Sequence, residues 1–510
     1  MIKVLASAFL ITFGFFFLQG RAGFSLADEG FLWYGVQRVL NGEVPIRDFM
    51  SYDPGRYYWS AWYALLSGDH GIMGVRMAAA IFQAIGMFVA LILIVRSTDP
   101  ESRYKTVFWG LSALILILWM LPRHKVFDIS LSIMLVGGLA YMIANPVPRR
   151  CLLAGIGVGL VAVFGRNHGV YGAAASLAIL LWMMIGASFQ DVVLKRFVPW
   201  GVGVVIGFLP TFVMAMVLPG FAAAFWNSIL MLFEQKATNL PLPIPWPWDA
   251  SFQTGSFKDV FRDILIGVFF LSLPLFGLAS IVWVTRQVKK NQPVQPALVA
   301  AAFLTLPYAH YAFSRADVSH LAQGIFPFLI GALILVSSLS GKKRLYLGGI
   351  LLIASLMITL SQHPGWFCRK ADRCVDVDVS GSTLRVPSGE ASNIALIRSI
   401  TADHAAGGKS FIVTPLWPGA YALMERKSPV WEIYALFPKS EAFEQAEIER
   451  IIASDPGYAL ILDVALDGQD ALRFRNTHPL MHRYIQENFE LVEVSPNPAL
   501  QLYVSKDATP

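Results

Sequence analysis

Charge is scarce in this sequence. Of 510 residues, 15% are Asp, Glu, Lys or Arg, against roughly 25% in soluble domains. Between about residues 100 and 360 the charges form short clusters separated by apolar runs of membrane-spanning length, which excludes a soluble fold for that region. Motifs that carry familiar chemistry are also missing. There is no Gly-rich phosphate loop, no His-Glu-x-x-His helix and no convincing Ser nucleophile motif, which argues against an ATP-driven pump, a membrane zinc protease and a serine hydrolase. No internal repeat is present. The net charge of +6 does not imply nucleic-acid binding, because Lys and Arg lie mostly in short loops, where they set orientation.

Cysteine is nearly absent, with three residues. Cys151 stands beside Arg149 and Arg150 at a helix start and reads as an inert thiol. Cys368 and Cys374 lie close together in 366-WFCRKADRC-374. A zinc pair is one reading, but two thiolates without nearby His or further Cys cannot complete a four-ligand site. A disulfide closing a short loop is favoured, and it requires an oxidising compartment.

What is abundant is apolar sequence. The runs predict about eleven spans, at roughly 4–20, 72–95, 106–121, 128–144, 151–165, 170–187, 198–218, 262–285, 297–313, 321–340 and 344–360. The first, Phe-rich and lacking a small-residue cleavage site, reads as an uncleaved helix rather than a signal peptide. Alternate loops are basic, and the positive-inside rule places them with Lys3 in the cytoplasm. Residues 21–71, 122–127, 166–169, 219–261, 314–320 and everything after 360 then face outward. The Cys pair falls on that same side.

After residue 360 charges return and apolar runs shorten to strand length, in 410-SFIVTP-415, 458-YALILDV-464 and 500-LQLYVS-505. The stretch 441-EAFEQAEIERIIAS-454 is apolar at helical spacing with acids in its first turns. The expectation is therefore a polytopic α-helical membrane protein over 1–360 and a periplasmic α/β domain over 361–510. The segment 239-NLPLPIPWPWDAS-251 is too rich in Pro and Trp for a helix. It reads as an outer loop whose tryptophans sit at the interface or stack on a sugar ring.

Several outer segments carry polar groups at or near membrane ends: Asp28, Glu29, Asp48 and Asp53 in the first loop, 123-RHK-125 with Asp128, Arg166 and His168 in 166-RNH-168, Glu234 with Lys236, and Arg315 and His320 in 315-RADVSH-320. Any one of these could be a solvated helix end. Recurrence in several outer loops points instead to a shared cavity, because ionisable groups at membrane depth are costly. Arg and His beside lipid suit a phosphate head group, and a carboxylate there can take a proton from an acceptor hydroxyl or amine.

The first loop carries a pattern: Asp28-Glu29-Gly30, then Gly42-x-x-Pro45-x-Arg47-Asp48-Phe49, then Asp53-Pro54-Gly55-x-Tyr57-Tyr58, then Arg76 in 74-GVRMAAAIF-82. It resembles the GT-C membrane glycosyltransferases, most of all the protein mannosyltransferase and aminoarabinose transferase branch with its uncharacterised bacterial members. The usual His-Pro-Pro-like turn is replaced here by Asp53-Pro54-Gly55. The resemblance is clearest over about residues 1–95.

This resemblance implies a polyprenyl-phosphate-linked sugar donor and inverting transfer at the periplasmic face of the bacterial inner membrane, to an envelope glycan, lipid or protein acceptor. It matches Asp28 to the catalytic base, with Glu29 its neighbour, and Arg76 to the arginine near the donor phosphate. Asp48 and Asp53 lie in the matching loop, and Arg315 with His320 resembles a late outer-loop motif assigned to donor phosphate contact. Each has a plainer reading. Asp28 suits the N-terminus of a helix over 29–40, Asp48 an ion pair with Arg47 or Arg56, Asp53 a turn, and Arg76 an interfacial anchor. Two of these acids, Asp28 and Asp48, offer hard oxygen ligands for Mg²⁺ or Mn²⁺, while the cations offer a metal-free way to neutralise phosphate, which is favoured. The rivals are a transporter or flippase for a lipid-linked saccharide, and a polymerase or ligase using a diphosphate-linked donor.

Overall fold

The computed structural model describes residues 1–99, 101, 103–235, 239–250, 256–370, 372–492 and 499–506. Lys236, and Ser251 at the end of the Pro- and Trp-rich segment, lie outside the described residues. The chain divides into two compact units. One comprises Met1–Gly20, Met77–Val217 and Pro241–Phe367, the other Arg21–Arg76, Leu218–Leu240 and Cys368–Pro510.

The first unit is helical and polytopic. Among the described residues, eight helices of the chain are long and apolar enough to cross a membrane. A ninth is added if Val318–Gly324 and Phe326–Ser337, bent by 62° at their junction, count as one span. The runs at 106–121 and 151–165 form shorter helices, Lys105–Trp119 of 15 residues and Pro148–Phe164 of 17. The second of these explains its glycines by its partner. Gly155 and Gly159 of Pro148–Phe164 abut Gly203 and Gly207 of Val198–Val217, and a Cβ on any of the four would strike the other helix's backbone. Where lipid supplies no hydrophobic drive between helices, such close backbone approach supplies packing energy.

The second unit joins the first loop to the C-terminal domain. Its sheet has the order β3-β4-β6-β5, with β3 at Ile412–Thr414, β4 at Tyr458–Leu462, β5 at Phe489–Val492 and β6 at Leu500–Ser505. β3 and β4 are parallel; β6 runs antiparallel to both β4 and β5. Helices Glu441–Ser454 and Pro479–Asn488 cover it through Ile448, Ile451, Met481 and Ile485, packed on Ile412, Ile461 and Phe489. A separate hairpin pairs β1, Cys374–Val379, with β2, Ser382–Pro387.

Cys368 and Cys374 are disulfide-bonded, with their Cα atoms 5.2 Å apart. Beside them the chain at Arg21–Gly23 runs along β2: Gly23 N–H donates to the Arg385 carbonyl and Arg385 N–H to the Arg21 carbonyl, both at 2.8 Å. Within the segment 219–261, read from sequence as loop, Phe221–Gln235 forms a 15-residue helix. Its apolar side chains fall at helical spacing, but Asn227 and Ser228 interrupt the run that a span would need.

Candidate functional site

The acids of the first loop belong to the second unit, and the structure gives each a different environment. The helix Asp28–Leu40 begins with Asp28 as its first helical residue, Ala27 holding the cap position. Asp28 N–H donates to Ser25 Oγ at 3.0 Å, and Gly30 N–H to the Ser25 carbonyl at 2.9 Å. This helix start is pinned by glycine. A Cβ at Gly30 would collide with the backbone of Gly419, whose own N–H donates to the Leu26 carbonyl at 2.8 Å. Leu26 N–H in turn donates to Glu390 Oε1 at 2.6 Å. An acid at this position is favoured by the helix dipole.

Asp28 is exposed at this helix start, and its Oδ1 accepts a hydrogen bond from the Tyr434 hydroxyl at 3.2 Å. Glu29 is buried. Its two carboxylate oxygens receive Nε and Nη2 of Arg76, each at 2.6 Å, and Nη2 also donates to the Gly23 carbonyl at 2.7 Å. Arg76 is 2% exposed. Its fork closes on a carboxylate rather than opening to a ligand, so the pair braces the chain before the acid helix against the start of Ile72–Ser97.

Asp48 is half-buried and takes Nε and Nη2 of Arg47 at 2.8 Å each, with Val44 N–H on Oδ2 at 2.7 Å. Burial pushes its carboxyl up, but the Arg47 guanidinium and the Val44 amide outweigh this and hold it below the usual carboxylate range. The loop around it is strained. Ile46 is β-branched, yet its φ is 73°, a conformation such residues rarely adopt. Ser51 Oγ accepts from its N–H at 2.7 Å, and its carbonyl accepts from Trp431 Nε1 at 3.0 Å. Asp53 is buried at the cap position of Pro54–Ser67, and the Arg56 guanidinium lies 4.4 Å over the Tyr52 ring.

Glu390 is a pH reporter for this region. Burial raises its carboxyl above the ordinary value, Glu29 adds to that, and the bonds from Leu26 and Asn393 oppose it. A raised folded-state value means the folded chain holds the proton longer than the unfolded chain. Stability from this group is therefore greatest at low pH and declines as pH rises through the ordinary glutamate range, about pH 4 to 5, toward the raised value. Glu390→Gln, whose amide oxygen still accepts from Leu26, is expected to flatten that decline in melting temperature. A pH dependence identical to wild type would remove Glu390 as its source.

The first unit holds the remaining candidates. His168, the third residue of Arg166–Trp182, is 2% exposed. Its Nε2 lies 2.9 Å from Asp128 Oδ1 and its Nδ1 2.7 Å from the Tyr308 hydroxyl. The tautomer that satisfies both partners has Nε2–H donating to the carboxylate and Nδ1 accepting from the phenol. Both ring nitrogens are thus taken by protein, which makes His168 an organiser of this cluster. Tyr171 and Tyr311 pack against the His168 ring, and Tyr311 donates to Gln323 Oε1 at 2.6 Å.

The sequence flagged Asp128 and His168 but not Tyr308, whose partner lies 140 residues away. Asp128→Leu leaves a buried imidazole N–H without its acceptor, a loss of about 1–3 kcal/mol that thermal melting in detergent will read. Asp128→Asn, which keeps an acceptor oxygen, is expected to lose less.

Asp317 gathers Arg315 and His320. Arg315 Nε donates to Asp317 Oδ2 at 3.0 Å, while Oδ1 receives the His320 backbone N–H at 2.8 Å and lies 2.9 Å from its Nδ1. Burial raises the Asp317 carboxyl, but these partners outweigh it and hold it low. Arg166 opens its helix directly before Asn167 and His168. No cluster of three or more His, Cys, Asp or Glu placed to hold a metal occurs among the described residues.

No family model matches the sequence, and no curated protein is similar to it. Solved structures are similar in fold. ArnT from Cupriavidus metallidurans in the apo state matches over 100% of this chain and 98% of that one, with a TM-score of 0.60 at 11% identity. The same protein bound to undecaprenyl phosphate matches over 100% and 99%, with a TM-score of 0.57 at 12% identity. The Archaeoglobus fulgidus oligosaccharyltransferase in the apo form matches over 99% and 74%, with a TM-score of 0.52 at 12% identity. The chain has the GT-C fold.

Proposed function

We propose that this GT-C chain is an integral membrane glycosyltransferase that moves a sugar from a polyprenyl-phosphate donor to an envelope glycan, lipid or protein acceptor. Transfer occurs at the periplasmic face of the bacterial inner membrane, with Asp28 as general base. The observation that carries the assignment is the sorting of the first-loop acids. Glu29 is buried on Arg76, Asp48 is chelated by Arg47, and Asp53 is buried at a helix start, while Asp28 is exposed. Oδ2 of Asp28 has no protein partner among the described residues. A base must present a lone pair to the proton it removes, and Asp28 is the acid placed to do so.

In the reaction the Asp28 carboxylate takes the proton of the acceptor hydroxyl or amine as that atom attacks the anomeric carbon. The bond from the anomeric carbon to the phosphate oxygen breaks, its electron pair leaves with the polyprenyl phosphate, and the anomeric centre inverts. The resemblance assigns donor phosphate contact to Arg315 and His320, both of which bond Asp317, with Arg166 as a further candidate. A bound Mg²⁺ or Mn²⁺ would supply the same neutralisation of the leaving oxygen. Asp128, His168 and Tyr308 each lie within a few residues of a helix end. A transporter would be expected to carry such groups at mid-span.

The proposal is tested by incubating purified protein with undecaprenyl-phosphate-linked glucose, galactose, mannose and aminoarabinose, with envelope lipid and glycan from a deletion strain as acceptor. Transfer from one donor supports it. No transfer from any donor, with envelope glycans of the deletion strain unchanged by mass, overturns it.

A further inference from the structure

The sheet domain and its flanking loops build the wall against which Asp28 sits. Residues 417–434 run alongside the acid helix and loop, and polar contacts tie them together at several points: Gln37 Nε2 donates to the Ala422 carbonyl at 3.1 Å, Lys427 Nζ lies 3.1 Å from Glu43, Ser428 N–H donates to the Tyr34 hydroxyl at 3.0 Å, and Met50 N–H donates to the Trp431 carbonyl at 2.9 Å. Tyr434 closes this run with its hydroxyl on Asp28 and its ring edge-on to Phe31, centroids 5.8 Å apart.

This wall is itself anchored in buried charge. Glu432, two residues before Tyr434, takes His478 Nε2 at 2.8 Å on one oxygen and Lys439 Nζ at 3.1 Å on the other, and all three side chains are at most 6% exposed. Trp431 N–H donates to Glu447 Oε2 at 2.8 Å, and that carboxylate is also paired with Arg450. A loop tied at both of these residues has little freedom to carry Tyr434 away.

We infer that Tyr434 is a positioning residue for the transfer reaction: its hydroxyl holds Asp28 Oδ1 and turns Oδ2 toward the acceptor proton. An exposed aspartate otherwise samples several rotamers, and a base misplaced by even about 1 Å loses much of its rate. The inference rests on Asp28 being the base.

Tyr434→Phe removes one oxygen and keeps the ring on Phe31. With the undecaprenyl-phosphate donor that the wild-type protein uses, it is expected to lower kcat about tenfold with the donor KM and the melting temperature unchanged. A general structural role would move KM or melting temperature instead. Wild-type kcat in Tyr434→Phe, or a loss accompanied by a raised KM or a lowered melting temperature, overturns the inference. If Asp28→Asn is inactive while Tyr434→Phe is wild-type, only the positioning role fails. If Asp28→Asn keeps full activity, the base assignment fails and this inference with it.

Discussion

Asp28→Asn is expected to lower sugar transfer by about a hundred- to ten-thousand-fold, the range a positioned general base contributes. The amide is nearly isosteric, and its oxygen still accepts from Tyr434, so expression and melting temperature should stay at wild-type values. The helix start is held by Ser25, Gly30 and Gly419 through backbone and glycine contacts that the substitution leaves alone. Turnover at the wild-type rate would sink the base assignment.

Arg76→Met produces the largest expected loss of stability, about 3–5 kcal/mol, because it takes the bidentate partner from a buried carboxylate. Glu29 is itself buried, and its carboxylate would lose both donors of the Arg76 fork. The double variant Glu29→Leu/Arg76→Met removes both charges and should recover much of that loss. Arg76→Lys keeps the charge without the fork and should fall between. If Arg76→Met instead melts as wild type and raises the donor KM, the guanidinium binds donor phosphate and the brace is dispensable.

The two residues show what the sequence can convey. Asp28 is legible because an acidic pair soon after an apolar run is unusual, and the surrounding pattern resembles a known family. Arg76 is legible as a cation near a helix start, but nothing local reveals that Glu29, 47 residues earlier, closes on it. The same holds for His168, whose two partners come from other helices. Burial and pairing are properties of the assembled chain, and a residue type fixes only what it is able to pair with.

Features governed by short range came through well. The strand-length runs at 410–415, 458–464 and 500–505 contain β3, β4 and β6, and Glu441–Ser454 is the helix its spacing predicts. The six-residue separation of Cys368 and Cys374 suited the disulfide they form. The Phe221–Gln235 helix was missed because it is too short and too polar for a span, though its apolar spacing was there to be read. Tyr434 carried no signal at all, being one tyrosine among sixteen, 406 residues from Asp28.

The abutment of Gly30 and Gly419 also orders events in time. The acid helix is made long before its partners: Leu26 waits for a carboxylate 364 residues downstream and Asp28 for a hydroxyl later still. Contacts of such range form late, since chain closure precedes any reward from pairing. During synthesis the first loop is therefore an unfinished edge, open to chaperones and proteases until the last third of the chain arrives. A premature stop before residue 419 would yield a protein with its membrane helices inserted and its acid helix never seated.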